Sequence, residues 1–315
     1  MFLICGEALF DVFAHAGDDD SAAAIDFRAV AGGSPFNVAF GLSRLGGQSA
    51  LLTGISSDFL GERLIKVLER EGVDCQYLVR EGDCKTTIAM VALGPNGSPQ
   101  YSFYHEKGAD RALAFSSLPE LDDSIKAIHV GSYSLVVSPT SETLGALIER
   151  EGKNRLVTLD PNVRLKIEKD KDRWRDRIAF FASHADIIKV SDEDLESLYD
   201  SGEGSDKAQE WLAGRTQLVI VTRGVEGVSV FTRSGRIDLS TESVDVVDTV
   251  GAGDTFQAAL LCWLDEHNGA SQEGVAALSD DDIRRMVTFA NRAAGVTCTR
   301  QGPDLPYRRE LADGE

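Results

Sequence analysis

Asp254 is the residue of this chain best placed to do chemistry. It stands directly after Gly251-Ala252-Gly253 and directly before an apolar run, in 247-VDTVGAGDTFQAALLCWL-264. Two positions without a Cβ let the backbone turn tightly and come close to a ligand. Behind the loop, Phe256, Ala259, Leu260, Trp263 and Leu264 recur at i, i+3, i+4, i+7 and i+8, the pattern of an amphipathic helix. The unpaired N–H groups at the start of such a helix, together with its dipole, form an anion site. A carboxylate beside an anion hole suits phosphoryl transfer. The amides of Gly251, Ala252 and Gly253 would hold charge on the transferred group, and Asp254 would take a proton from the attacking hydroxyl. The same fragment would also serve as a helix cap, since Asp is among the preferred N-cap residues. Taken by itself, it leaves both readings open.

The elements that must position this loop follow from hydropathy. Apolar runs at 127–132, 155–161, 186–191 and 217–224 alternate with helical patterns at 139–151, 171–183, 192–200 and 205–213. A final helix covers 281–298. Short apolar strands alternating with helices predict an α/β fold, a mostly parallel central sheet covered on both faces. Residues 1–13 read as one buried strand ending near Asp11. In 34-SPFNVAFGLSRLG-46, Ser34 is placed to cap a helix and Pro35 to occupy its first position. A strand at 49–56 and a helix at 59–71 follow. Residues 85–104 break the rhythm: two β-rich runs flank Gly94-Pro95-Asn96-Gly97, which predicts a hairpin. With residues near 10–30, the segment 85–108 is expected to form a small β-sheet lid. The chain shows no linker and reads as one unit over 1–315. In open α/β sheets ligands sit beyond the carboxyl ends of the strands. Those ends carry Gly131-Ser132, Asp160-Pro161-Asn162, Ser191-Asp192 and Thr222-Arg223-Gly224.

Charge and composition narrow the partners. With 51 acidic and 32 basic residues the formal net charge is −19, which argues against nucleic acid and against an anionic membrane surface. An anionic ligand then needs a local positive field. The five cysteines form no CxxC pair, and no secretory signal or long apolar run occurs, so a reducing cytoplasm is expected. Rival phosphate motifs fail. The nearest approach to a P-loop, 41-GLSRLGGQS-49, has Gln48 where lysine is required. No dinucleotide fingerprint follows a strand, and no GxSxG or HExxH occurs.

The segment 247-VDTVGAGDTF-256 resembles the signature of the ribokinase-like (PfkB) carbohydrate kinases, and 31-AGGSPFNVAFGLSRLG-46 resembles the family's second signature. GEALFDV, FYHEKGAD, DPNVR, KVSDEDLESL, VTRGVEGV and FANRAAGV fall in the family's order. The combination is most similar to bacterial fructokinases. The resemblance implies transfer of the ATP γ-phosphate to the terminal hydroxyl of D-fructose. A 2-keto-3-deoxygluconate kinase, a ribokinase-type kinase and a non-catalytic sugar-binding regulator are the alternatives. It implies that Asp254 is the base, with anion-hole amides from Gly251, Ala252 and Gly253, and that Asp11, Gly32, Gly33 and Asn37 meet sugar hydroxyls. The hairpin aromatics Phe103 and Tyr104 read as hairpin core, with one of them able to pack on a sugar face, and Tyr104 is assigned to that place. Arg164 would reach the phosphates, and Thr222, Gly224, Gly227 and Asn291 would border the nucleotide. Mg²⁺ would arrive with ATP, within reach of Asp194 through water, and a monovalent cation, usually K⁺, would sit at Asp248. A homodimer through the lid is expected. Two positions depart from the family pattern. Asp194 is one methylene shorter than the usual Glu, and His105 stands where fructokinases often carry Arg, with Lys107 or Arg111 as possible compensation.

Overall fold

The structure, a computed structural model, describes residues 1–14, 23–93, 99–200 and 204–311. The expected Gly94–Gly97 turn and part of the expected lid segment near 10–30 lie outside these residues.

The chain opens with β1 (Phe2–Cys5), β2 (Leu9–Ala14) and β3 (Phe27–Gly32). Helix α1 (Ser34–Arg44), strand β4 (Ser49–Ser56) and helix α2 (Phe59–Arg70) follow. Next come β5 (Leu78–Glu81), β6 (Ile88–Leu93) and β7 (Pro99–Tyr104). A regular alternation then runs through β8 (Ala127–Gly131), α3 (Thr140–Glu151), β9 (Leu156–Asp160), α4 (Lys171–Ala182) and β10 (Ile187–Ser191). It continues with α5 (Asp192–Tyr199), α6 (Ser205–Leu212) and β11 (Leu218–Thr222). The hairpin β12 (Val228–Thr232) and β13 (Gly235–Leu239) precedes α7 (Ala252–Glu266), α8 (Gln272–Ala276) and α9 (Asp280–Cys298).

Nine strands form one sheet in the order β13-β12-β11-β10-β9-β8-β1-β4-β5. Pairing is parallel from β5 across to β11 and antiparallel through the terminal hairpin. Its strands are apolar on both faces because both faces are covered. In β1, Phe2 and Ile4 enter the core under α1, α7 and α9, while Leu3 and Cys5 enter the core under α3, α4 and α6. The chain builds one wing of the sheet from β1 outward through β4 and the other from β8, so the order reverses between β1 and β8. That is where a crevice opens above the strand ends.

The expectation of one strand over residues 1–13 is corrected. Gly6, at φ +142°, ends β1, and the chain leaves the large sheet for a second, four-stranded sheet of order β3-β2-β6-β7. An apolar run by itself cannot show that its two halves hydrogen-bond to different sheets. The second sheet stands beside the carboxyl end of β1 and is tied to the large one by a close approach. The backbone of Ala109 crosses β4 so closely that a Cβ on Gly54 would lie 2.0 Å from the Ala109 carbonyl oxygen. Gly54→Ala is therefore expected to cost about 1–3 kcal/mol. Gly82→Ala, where a Cβ meets nothing within 4 Å, should stay within about 0.5 kcal/mol of the wild type. Urea unfolding of the two variants checks the contrast.

Candidate active site

The first turn of α7 lies at the reversal point. Gly251 precedes the helix at φ +83°, ψ −3°, and no side chain caps it. The capping reading of Asp254 is thereby removed. Its carboxylate turns away from its own helix and accepts from Ser34 Oγ at 2.6 Å on Oδ1 and from Asn37 Nδ2 at 2.8 Å on Oδ2. Thr255 Oγ1 instead bonds the Gly251 carbonyl at 2.9 Å and meets Thr297 Oγ1 at 2.8 Å. The first internal helix bond runs from Thr255 N to Gly251 O, so the amides of Ala252, Gly253 and Asp254 precede it and have no partner within the helix. The Ala252 amide is donated to Thr249 O at 3.2 Å. Gly253 and Asp254 thus offer the open end of the turn.

The role expected of Ser34 is corrected in the same way. Residue Gly33 precedes α1, Pro35 falls one place inside its first position, and the Ser34 hydroxyl goes to Asp254 across the crevice rather than to its own helix. Gly33 holds φ +103°, and a Cβ there would lie 2.8 Å from Glu7 O. At Gly32 a Cβ would lie 2.5 Å from Asp11 Oδ2. The glycine pair is thus what lets the Asp11 carboxylate, the β1 end and the start of α1 come together. Asn37 is buried, and its Oδ1 has no partner among the described residues.

Four carboxylates share this space. Burial raises the pKa of Asp254, opposed by the bonds from Ser34 and Asn37 and by the charges of Lys189 and Arg164. Burial lifts Asp11 to about 6, against the pull of Arg164. Burial lifts Asp194 to about 6 as well, with Asp160 adding to the rise and Arg164 opposing it. Glu7 rises to about 7, again chiefly by burial. Arg164 lies on the exposed loop after β9, bonded through its guanidinium to the Val163 carbonyl at 3.1 Å. It is the positive charge common to all four. Asp194 does not merely reach outward: its Oδ1 accepts the Val163 amide at 3.0 Å and so pins the Arg164 loop.

On the second wing, Thr222 ends β11, Gly224 and Gly227 hold φ +49° and +98°, and a Cβ on Gly227 would meet Leu239 O at 2.2 Å. Thr241 Oγ1 reaches Gly224 O at 3.3 Å, and Val247 N bonds Cys298 O at 2.8 Å. These bonds tie the turn after β11 to the segment 241–247, and that segment to the end of α9. Asn291 of α9 presents an Nδ2 with no partner among the described residues. Val225, Val246 and Val247 are exposed. Asp248 ties the α7 loop down, accepting Val250 N at 3.1 Å and Gly302 N at 2.8 Å, one on each oxygen. Lone pairs remain on both oxygens for a cation.

Tyr104 is not brought to the site. In the small sheet Asp11 pairs with Ala89 and Ala89 with Phe103, whereas Phe10 pairs with Ile88 and Ile88 with Tyr104. Side chains alternate between faces, so Phe103 shares the face of Asp11 and Tyr104 points to the other. Tyr104 is 63% exposed there. A one-residue difference in register is invisible in a hairpin's composition. The Arg111 guanidinium hydrogen-bonds His105 at its ring Nδ1 and its carbonyl, which places a fixed cation beside His105.

Several residues of the site lie within the quoted segments but drew no role from the sequence: Glu7 in GEALFDV, Asp110 in FYHEKGAD, Asp160 in DPNVR and Lys189 in KVSDEDLESL. Glu7 is buried between the β1 end and Ser134 Oγ, 3.2 Å away. Buried Asp110 accepts from Thr87 Oγ1 and, at 2.7 Å, from Tyr133 OH. Lys189 and Asp160 form a buried pair at 2.8 Å. The sequence marks these segments, but the partner of each charge is set by long-range contacts.

The hydrogen bond from Ser34 favours ionised Asp254. If Asp254 serves as the base expected from the sequence, it accepts a proton only above its pKa, so activity is expected to rise as the pH climbs through that value. Ser34→Ala should move the acid limb of kcat/KM upward by about one pH unit, with turnover above the limb largely kept; a pH–rate profile checks it.

Comparisons with known proteins agree with this architecture. The model of the family described as pfkB family carbohydrate kinase matches residues 2–309. A fructokinase of Rhizobium leguminosarum bv. trifolii is 40% identical over 287 residues, covering 90% of this chain and 86% of that one. Among solved structures, fructokinase from Xylella fastidiosa with bound ATP superposes at a TM-score of 0.86 and 26% identity, over 98% of this chain and 96% of that one. A double mutant of fructokinase from Vibrio cholerae O395, in its fructose, ADP and potassium ion bound form, gives 0.84 and 26% identity over 98% and 96%.

Proposed function

The chain belongs to the pfkB carbohydrate kinase family, and we propose that within it the chain is a fructokinase, moving the γ-phosphoryl group of ATP to the 6-hydroxyl of D-fructose. The observation that carries the reading is the double anchoring of Asp254. One carboxylate stands in the first turn of an anion-binding helix and is held by Ser34 and Asn37 of the glycine-pair helix. A proton acceptor is thus fixed where a hydroxyl from the small-sheet side meets a phosphate from the α7 side. The choice of fructose rests on the 40% identity to the Rhizobium enzyme and on the likeness to the fructose-bound Vibrio enzyme.

In this reading fructose lies between the small sheet and α1. Asp11 and the unpartnered Asn37 Oδ1 accept its hydroxyls, the Gly32-Gly33 backbone leaves it room, and Phe103 replaces Tyr104 as the nearby ring. The O6 proton passes to Asp254. O6 bonds the γ-phosphorus as the bond to the β,γ-bridging oxygen breaks, and that electron pair leaves with ADP. The amides of the α7 turn hold the γ-phosphate, and Arg164 neutralises charge at the strand ends. The adenosine lies in the second-wing cleft, bordered by Thr222, Gly224, Gly227 and Asn291. The exposed valines 225, 246 and 247 give its ring an apolar bed. Mg²⁺, brought in by the nucleotide, would be reached by Asp194 through water and would offset charge on the phosphates. K⁺ beside Asp248 would firm the loop that Asp248 already ties to Gly302. The small sheet acts as a lid that excludes water from the transfer. Its outer face exposes Phe27 and Tyr104, which suits contact with a second copy. Cytoplasmic residence fits five cysteines that are all free.

Asp254→Asn is expected to keep fructose binding within a few-fold by calorimetry while kcat falls by about 10²–10⁴. The wild type is to be screened for ATP consumption against a sugar panel. Turnover of 2-keto-3-deoxygluconate without fructose would replace the assigned substrate, and binding without turnover of any sugar would indicate a regulator. Light scattering at the dimer mass is expected; a single monomer peak would remove the lid contact.

A further inference from the structure

Lys189 has no assigned part in the reaction, and its setting is unfavourable in every respect but one. It occupies the middle of β10, between the buried apolar residues Ile188 and Val190, and is 5% exposed. Its Nζ lies 2.8 Å from Asp160 Oδ2, and the two side chains are 6% and 2% exposed. The same nitrogen would sit 3.1 Å from a Cβ on Gly253. The ammonium therefore rests against the first turn of α7, directly beneath the loop read above as the phosphate site.

Two penalties follow for the free protein. A buried ion pair is generally no more stabilising than apolar residues of the same volume, because both charges lose their water. A cation at the amino end of a helix also faces the positive pole of the dipole. The pair is incompletely satisfied as well: Asp160 Oδ1 is buried with no partner among the described residues. Asp194, whose pKa burial raises, feels both charges, Asp160 adding to the rise and Lys189 opposing it, and the neutral groups around the pair do not relieve it. His129 is pressed neutral by burial, its pKa lowered to about 4, and is occupied with Thr158 Oγ1 at 2.9 Å. Gln257 reaches His129 at 3.4 Å but leaves its own Oε1 unpaired. An arriving anion reverses both penalties, since a fixed cation in a dry site attracts it more strongly than the same cation in water.

We propose that Lys189 is a positioning residue of phosphoryl transfer: held charged and aimed by Asp160, it supplies from below Gly253 the fixed positive charge that draws the γ-phosphate onto the α7 turn and keeps Asp254 in its proton-accepting form. The proton that moves goes from the sugar hydroxyl to Asp254. The proposal rests on the reading of the α7 loop as the phosphate site. It adds a buried positive centre to a chain of net charge −19, whose strand-end arginines are Arg164 on an exposed loop and Arg223, which faces Asp238.

The test is the charge-neutral pair Lys189→Met with Asp160→Asn, which removes both charges and leaves none stranded. The variant is expected to unfold at the wild-type temperature within a few degrees and to bind fructose as the wild type does. Its kcat should fall by about 100-fold or more, and the acid limb of its kcat/KM profile should move to higher pH. Lys189→Arg, which keeps the charge, should retain most of the limb position. A neutral pair that does not fold, or that folds with kcat within threefold of wild type and an unmoved limb, overturns the proposal. A wild type inactive toward every sugar of the panel would instead remove the kinase reading itself, so the two failures are told apart.

Discussion

The hydrogen bonds that Ser34 and Asn37 donate to Asp254 join residues 220 and 217 positions apart in the chain, and the rest of the site is arranged around them. A carboxylate at the start of α7 would ordinarily fold back onto its own helix as a cap. Here it is pulled across the crevice, and the helix turn is left with open amides. The consequence is chemical. The Asp254 carboxylate and the open amides belong to one turn, but they are oriented by two different elements.

That bridge demands close backbone approach on the opposite side. Gly33 must hold a left-handed conformation against the Glu7 carbonyl, and Gly32 must leave the space that the Asp11 carboxylate fills. The break at Gly6 lets the chain pass from the large sheet to the small one just before these contacts form. Packing supplies the rigidity: α1 and α7 lie in one core with α9, under the same face of the nine-stranded sheet. The helices that carry Ser34, Asn37 and Asp254 are thus held by side chains that never touch a ligand.

Electrostatics follow from that burial. Desolvation pushes Glu7, Asp11, Asp194 and Asp254 toward their neutral forms, and the opposing influence common to all four is Arg164. For Asp254 the two hydrogen bonds and Lys189 add to it. A strongly acidic protein thereby holds a locally compensated centre, which an anionic co-substrate requires.

The α/β alternation, the parallel sheet, nearly all helix bounds and the loop at 251–254 were legible in the sequence, because each rests on local periodicity or on glycine's lack of a Cβ. Family membership was legible for the same reason: its signatures are contiguous. What only the tertiary structure decided depends on registers and long-range contacts. Local rules made Ser34 a helix cap, and a partner 220 residues away took its hydroxyl. Composition could not separate Phe103 from Tyr104, because the faces of a hairpin are set by which residues pair. The first apolar run concealed a change of sheet at Gly6. Lys189 drew no role from the sequence until the fold set it beneath Gly253. Spacing along a chain reports which face a residue occupies; what that face meets is decided by packing.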